Sequence, residues 1–105
     1  MRETIIDQDI PLAENKRLVK RLYKVDKSED FPNGLEFAYQ YLYFKDDNWI
    51  QFARIDNQLH GGKPGVHIHT LKREKVEWGD LTFEEAEEKI IEMGESVIRN
   101  IIDRI

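Results

Sequence analysis

Hydrophobic and polar residues alternate through the middle of the chain with the period of a β-strand. From Leu35 to Phe44 an aromatic side chain occupies every second position, giving the row Phe37, Tyr39, Tyr41 and Tyr43. The polar residues Lys45 to Asn48 are predicted to form a hairpin connection, after which Trp49 to Asp56 is the return strand. Val66 to Leu71 has the pattern of a further strand. These three segments predict an antiparallel sheet.

A segment nearer the N-terminus fits two patterns. Leu18, Val19 and Leu22 fall at helical spacing, but alternate residues from Arg17 to Val25 also form one face of a strand. Periodicity alone slightly favours the helix, so both interpretations stay open at this point.

The C-terminal segment has the period of an amphipathic helix. Thr82 and Glu85 have the spacing of a capping box, and the helix is predicted to run to about Arg104. Its apolar stripe comprises Phe83, Ala86, Ile90, Met93, Val97 and Ile101. The sequence therefore predicts one α+β domain over residues 1–105, a small antiparallel sheet of about four strands packed by a long C-terminal helix. The first ten residues are expected to form a loose end.

The amino-acid composition argues against several classes of protein. The chain has no cysteine, which excludes disulfides, thiolate metal sites and thiol nucleophiles. No apolar run approaches the roughly 20 residues that span a bilayer, and acids stand where a signal peptide would be apolar, so we expect a cytoplasmic protein without a membrane partner. Abundant Lys, Glu, Arg and Ile are typical of a thermophilic source.

The net charge of −5 comes from the predicted helix region. Residues 79–105 hold three basic and eight acidic residues, whereas the two charges balance in the remainder of the chain. This distribution argues against broad, nonspecific binding to DNA, although a local basic face could still contact phosphates. The Glu-rich cluster itself is typical of a solvated helix face.

The candidate chemistry is concentrated in two of the predicted strands. Residues two apart on a strand point the same way, so Arg54 and Asp56 share a face, as do His67 and His69. If the two strands pair, these four side chains converge beside a glycine-rich loop. We expect both imidazoles to lie side by side and to be reachable by solvent.

One chemistry that suits this cluster is metal binding. Imidazoles and carboxylates are the usual ligands of divalent transition metals where no thiolate is present. His67, His69, Asp56 and His60 are the candidate ligands, and His60 is the weakest because a single loop histidine is more often an ordinary surface residue.

The other chemistry is metal-independent cleavage of RNA. His67 and His69 would act as acid and base, Arg54 and Lys63 would hold the scissile phosphate, and Asp56 would orient a histidine. The alternative to both chemistries is that the cluster is only a polar strand surface.

Two other features have a functional and a structural interpretation. The aromatic row could stack RNA bases, but such rows more often form core packing. The basic residues between Lys16 and Lys27 could follow a phosphate backbone, but neighbouring acids favour a solvated face.

The central motif resembles the TumE-like toxins of prokaryotic toxin-antitoxin modules. The residues that carry the resemblance are Arg54-x-Asp56-Asn57, then Gly62-Lys63, then His67-x-His69, between an aromatic strand and a helix. The resemblance favours a strand for Arg17 to Val25 and adds Asn57 and Gly62 to Lys63 as substrate-binding candidates. It implies a toxin neutralised by an antitoxin protein, and RNA cleavage follows from the residue set. The alternative functions are a metal-binding or protein-interaction domain and a homodimer of structural role.

Overall fold

A computed structural model describes residues 2–58, 65–70, 77–79 and 81–102. Within these residues the chain forms six strands and one helix. These are β1 (Glu3–Ala13), β2 (Lys16–Lys24), β3 (Leu35–Lys45), β4 (Asn48–Asp56), β5 (Val66–Thr70), β6 (Glu77–Gly79) and α1 (Phe83–Ile102). The predicted strand end at Leu71 and the predicted helix end near Arg104 lie outside the described residues.

The six strands form one antiparallel sheet in sequence order, with each strand paired to the next. Between β3 and β4, Asp46 and Asp47 have positive φ angles of 52° and 63°. Two consecutive positive φ values are the geometry of the two-residue hairpin turns that match strand twist. The predicted α+β class is confirmed.

The sheet is larger than the predicted four strands because β1 and the short strand β6 also pair with it. The first ten residues are not a loose end, since Glu3–Ala13 pairs with β2. Ile6 and Ile10 of β1 pack against the core, while the residues around them are mostly exposed. Two register shifts interrupt the pairing, between Thr4 and Ile6 and between Pro11 and Ala13. These irregularities break the period of two, which explains why the pattern of β1 is weak in the sequence.

The ambiguous N-terminal segment is a strand, as the resemblance favours. Leu18 and Leu22 are buried and lie opposite Tyr41 and Phe37 of β3. The segment forms a strand despite its helical spacing, because alternate residues of β2 already provide an apolar face that packs in the core. Tertiary packing against β3 outweighs the local pattern.

Helix α1 covers one face of the sheet, and the aromatic row of β3 fills the space between them. Tyr39 and Tyr41 have no exposed surface, and the Tyr39 ring stacks on Phe83 of α1 at a centroid distance of 5.2 Å. Tyr43 is half-buried and stacks on Phe52 at 5.0 Å. The row is therefore core, and its rings are not available to stack bases.

The predicted capping box begins the helix. The Thr82 hydroxyl accepts from the amide of Glu85 at 3.1 Å, and the Glu85 carboxylate accepts from the amide of Thr82 at 2.9 Å. These two hydrogen bonds lower the pKa of Glu85, the backbone one most strongly. Within the described residues, no helix is long and apolar enough to cross a membrane.

A polar contact connects the middle of α1 to the sheet. The buried Tyr41 hydroxyl donates to Glu95 Oε1 at 2.7 Å, and Lys16 Nζ lies 3.1 Å from Glu95 Oε2. Burial raises the pKa of Tyr41, so its hydroxyl stays protonated and remains a donor at neutral pH. The hydrogen bond from Tyr41 lowers the pKa of Glu95, with a smaller contribution from Lys16.

Replacing Tyr41 with Phe is expected to raise the pKa of Glu95 towards its ordinary value, which an NMR titration of the carboxyl carbon would measure. In the wild type the lowered folded pKa contributes stability that is present above the unfolded pKa and is lost as pH falls through the folded one. Acid unfolding should therefore be less steep in Tyr41→Phe. An unchanged pKa of Glu95 would show that the Tyr41 hydroxyl does not stabilise the Glu95 carboxylate.

Candidate functional site

Strand pairing brings the four central candidates together. Arg54 lies opposite His69, and Asp56 lies opposite His67. Ile55 between them lies opposite Tyr39, whose ring stacks on α1, so the candidates point away from the helix. We call this sheet surface, which carries Arg54, Asp56, His67 and His69, the open face. This register places the four side chains close together, as the sequence predicts.

Arg54 is held in place by hydrogen bonds within the cluster. Its Nε donates to Asp56 Oδ2 at 2.9 Å, and its Nη2 donates to Gln58 Oε1 at 2.8 Å. The second oxygen of Asp56 accepts from the backbone amide of Gln58 at 3.0 Å. Asp56 is 5 % exposed, whereas the Arg54 side chain is 27 % exposed. The guanidinium is thus anchored on a buried carboxylate and still reaches the surface.

The hydrogen-bond network continues across the open face towards the N-terminus. Gln58 Nε2 donates to Glu36 Oε1 at 2.8 Å, and Arg2 lies 3.8 Å from the same oxygen. The Arg2 guanidinium also lies 3.7 Å from the Tyr23 ring centroid. Sequence reasoning missed Gln58 and Glu36. Glu36 is out of phase with the buried aromatic row of β3, and this spacing is the signal that places it on the open face.

The two histidines differ in burial. His69 is half-buried, but His67 is 0 % exposed. The expectation that both imidazoles reach solvent is therefore wrong for His67. β5 is an interior strand, with His67 opposite Asp56 of β4 and Trp78 of β6. Alternation assigns a residue to a face, but it does not show whether that position is covered.

The proposed metal site is not formed by the described part of the chain. Within it, no three His, Asp or Glu side chains converge in a way that could hold an ion. His60, Gly62 and Lys63 lie outside the described residues. Their roles as ligand or as phosphate contacts remain predictions.

Asn57, a substrate-binding candidate, is engaged by the backbone of β3. Its Oδ1 accepts from the amide of Phe37 at 2.7 Å, and its Nδ2 donates to the carbonyl of Leu35 at 2.9 Å. The Asn57 amide also donates to the carbonyl of Phe37 at 3.2 Å. The side chain extends the β3–β4 ladder past the end of β4, so its position shows a structural role.

The basic residues of β2 are divided between the two faces of the sheet. Lys16 and Lys20 pair with Glu95 and Glu87 of α1, at 3.1 and 2.6 Å. On the opposite side, Arg17 lies 3.2 Å from Asp9, and Arg21 lies 3.3 Å from Asp7. Each of these cations already faces an acid. They do not form one continuous track for a phosphate backbone.

The exposed aromatic side chains of the open face are not those of the predicted row. Trp49 and Phe44 are 38 % and 40 % exposed, and their ring centroids are 5.2 Å apart. The Arg17 guanidinium lies 4.8 Å from the Trp49 ring centroid. Phe44 is out of phase with the buried row, which is the sequence signal for its placement.

The site thus contains two partly exposed residues opposite each other in register, Arg54 and His69, next to two buried residues, Asp56 and His67. A guanidinium beside an imidazole can bind a phosphate and move a proton. The resemblance to TumE-like toxins stays a prediction. No family model, curated protein or solved structure shows a significant match to this chain.

Proposed function

We propose that this protein is a toxin-like endoribonuclease of a prokaryotic toxin-antitoxin module, acting in the cytoplasm through the open face. The observation that supports this most directly is the register of β4 and β5, which sets His69 opposite Arg54 with both side chains in reach of solvent. Directly opposed residues have Cβ atoms about 4.5 to 5.5 Å apart, close enough for both side chains to contact one phosphate group.

The pair supplies what cleavage of RNA requires. His69 removes the proton of a ribose 2′-hydroxyl, the 2′-oxygen forms a bond to phosphorus, and the bond from phosphorus to the 5′-oxygen breaks. The leaving oxygen takes its proton from water, and the product carries a 2′,3′-cyclic phosphate. The Arg54 guanidinium donates to the phosphate oxygens as negative charge builds up on them.

The buried residues, Asp56 and His67, position the accessible residues of the site. Asp56 accepts from Arg54 Nε at 2.9 Å and Gln58 accepts from Nη2, so Nη1 is the nitrogen assigned to the substrate phosphate. His67 is too buried to exchange protons with a large substrate, so we assign it to the support of Asp56, its partner in register. Among the described residues, catalytic contact with RNA is thus assigned to His69 and Arg54.

The experiment compares purified His69→Ala with wild type on a single-stranded RNA. Loss of a general base is expected to slow cleavage about 10²- to 10⁴-fold. His67→Gln should lower the melting temperature more than it lowers the rate in the protein that remains folded. An RNA with 2′-deoxyribose at the cleaved position should resist cleavage. Gln51→Ala, an exposed open-face change, is the control expected to cleave normally.

Unchanged cleavage by His69→Ala would contradict the assignment, as would cleavage of the deoxyribose substrate. The antitoxin of such a module would be a protein that abolishes cleavage at equimolar concentration.

A second candidate function is a protein-interaction domain, and the exposed Trp49, Phe44 and Arg17 favour it. Tryptophan and arginine are enriched among the residues that dominate binding energy at interfaces. If this surface forms a homodimer, light scattering should give twice the monomer mass for the wild type and the monomer mass for Trp49→Ala. A monomeric wild type would exclude the homodimer.

A further inference from the structure

A pocket of about 490 Å³ lies at the beginning of α1, on the helix side of the sheet. Its lining comes from the β2–β3 connection, the end of β4, the start of β5 and the first residues of the helix. Its apolar lining includes Leu22, Phe31, Phe37, Val66, Leu81 and Phe83. The volume is within the range of about 300 to 1,000 Å³ that small-molecule sites occupy.

The pocket has an apolar floor and a charged rim. Leu22, Phe37 and Val66 are buried and form its base. The charged residues among the described lining are Asp30 and Glu84, both exposed and both carboxylates. Asp30 belongs to the β2–β3 connection and Glu84 to α1, so two of the segments that line the cavity each contribute a carboxylate.

The positive end of the α1 dipole does not outweigh the negative charge of these two carboxylates. The macrodipole contributes about half a positive charge at the start of a helix. The two rim carboxylates outweigh it, and Glu85 of the first turn adds a third negative charge nearby. The amide of Glu85 is already bonded to Thr82 by the capping box, so this donor is not available to an anion. The charged groups of the described lining therefore favour a cation.

Two aromatic side chains of the lining suit the same ligand. The faces of phenyl rings attract cations, and Phe31 and Phe37 line the pocket. The ring of Phe83, the third phenylalanine of the lining, is already stacked on Tyr39. Lys20 Nζ already lies 5.2 Å from the Phe83 ring centroid. The Lys20 charge is balanced by Glu87 at 2.6 Å, so it does not cancel the rim carboxylates.

We propose that this pocket binds an organic cation with an apolar body, a protonated amine or guanidinium attached to a hydrocarbon or aromatic group. The body occupies the cavity floored by Leu22, Phe37 and Val66, and the cation lies between Asp30 and Glu84. The site is on the helix side of the sheet and is independent of the RNA chemistry assigned to the open face.

The test uses phenethylammonium as the probe, followed by amide chemical shifts on titration. Shifts are expected at Phe31, Val66 and Phe83, and at the Asn57 side-chain amide, which borders the pocket. Phenylacetate carries the same ring with a negative charge, and 2-phenylethanol carries the same ring with no charge. Both should bind at least about tenfold more weakly. Added salt should weaken binding of the amine because the rim is exposed.

A matched pair of double variants tests the rim. Asp30→Asn with Glu84→Gln should weaken phenethylammonium binding about tenfold. The control, Glu29→Gln with Glu88→Gln, removes two exposed carboxylates that do not line the pocket and should bind as wild type does. Melting curves establish that both proteins are folded.

Equal binding of phenylacetate, an unchanged affinity in the rim variant, or shifts confined to other residues would each overturn the proposal. A parallel titration with acetyl-Phe-Arg-amide separates two sources of the same chemistry. Tighter binding of this dipeptide than of phenethylammonium identifies the ligand as a basic side chain of a partner protein. Weaker binding identifies a free amine.

Discussion

Replacing Gly94 with alanine is expected to lower the free energy of unfolding by about 2 kcal/mol or more. Gly94 is buried where α1 crosses Tyr41, and a Cβ at this position would come closer than 3.0 Å to three carbons of the tyrosine ring. The ring cannot easily move away, because it is fully buried and its hydroxyl is bonded to Glu95. Overpacking costs about 1 to 3 kcal/mol and sometimes more, and three overlaps this close place the cost at or above the upper end of that range. Subtracting the roughly 1 kcal/mol that alanine gains in helix propensity leaves about 2 kcal/mol or more.

Chemical denaturation of Gly94→Ala would measure this loss. Glu88→Ala on the exposed side of the same helix is the control, expected to change stability by no more than about 0.5 kcal/mol. Shortening the opposing side chain should relieve the overlap, so Gly94→Ala should cost less in a Tyr41→Leu background than alone. A Gly94→Ala protein as stable as wild type would show that α1 can move away from β3 at little cost.

Replacing Asp56 with alanine is expected to lower the free energy of unfolding by about 2 to 4 kcal/mol. The change removes the acceptor for both Arg54 Nε and the Gln58 amide at a position that is 5 % exposed. Breaking a fully buried ion pair costs about 3 to 5 kcal/mol. The partial exposure of Arg54 reduces the expected figure, because water can solvate part of the abandoned guanidinium.

Asp7→Ala is the matched control, because it breaks an Arg–Asp pair on β1 and β2 that is exposed on both sides. Such surface pairs contribute about 0 to 1 kcal/mol, so the two variants should differ clearly in urea denaturation. Equal losses in Asp56→Ala and Asp7→Ala would mean that burial of Asp56 adds nothing to its interaction with Arg54.

Strand periodicity predicted the part of the site that depends on direction alone. Because side chains alternate, the spacing of Arg54 with Asp56 and of His67 with His69 was sufficient to place each pair on one face. Local sequence also contained the capping box and the central hairpin, whose determinants lie within a few residues. Both features were predicted correctly for this reason.

Burial depends on what packs above a residue, and short-range patterns do not contain this information. His67 and His69 look equivalent in the sequence, yet they differ in exposure because of their surroundings in the folded chain. The same limit applies to the aromatic residues. The regular row of β3 is buried beneath α1, whereas Trp49 and Phe44, which attract less notice in the sequence, are exposed. Distant contacts determine both outcomes.

The register shifts of β1 affect how the sheet can associate with other chains. An outer strand presents unpaired amides and carbonyls, to which a strand of another molecule could add. In β1 the irregularities near Thr4 and Pro11 interrupt that row at both ends, and proline itself offers no amide. Only the short stretch between them is regular enough to template a new strand. This border therefore offers a shorter template for the addition of another strand than an uninterrupted strand of 11 residues would.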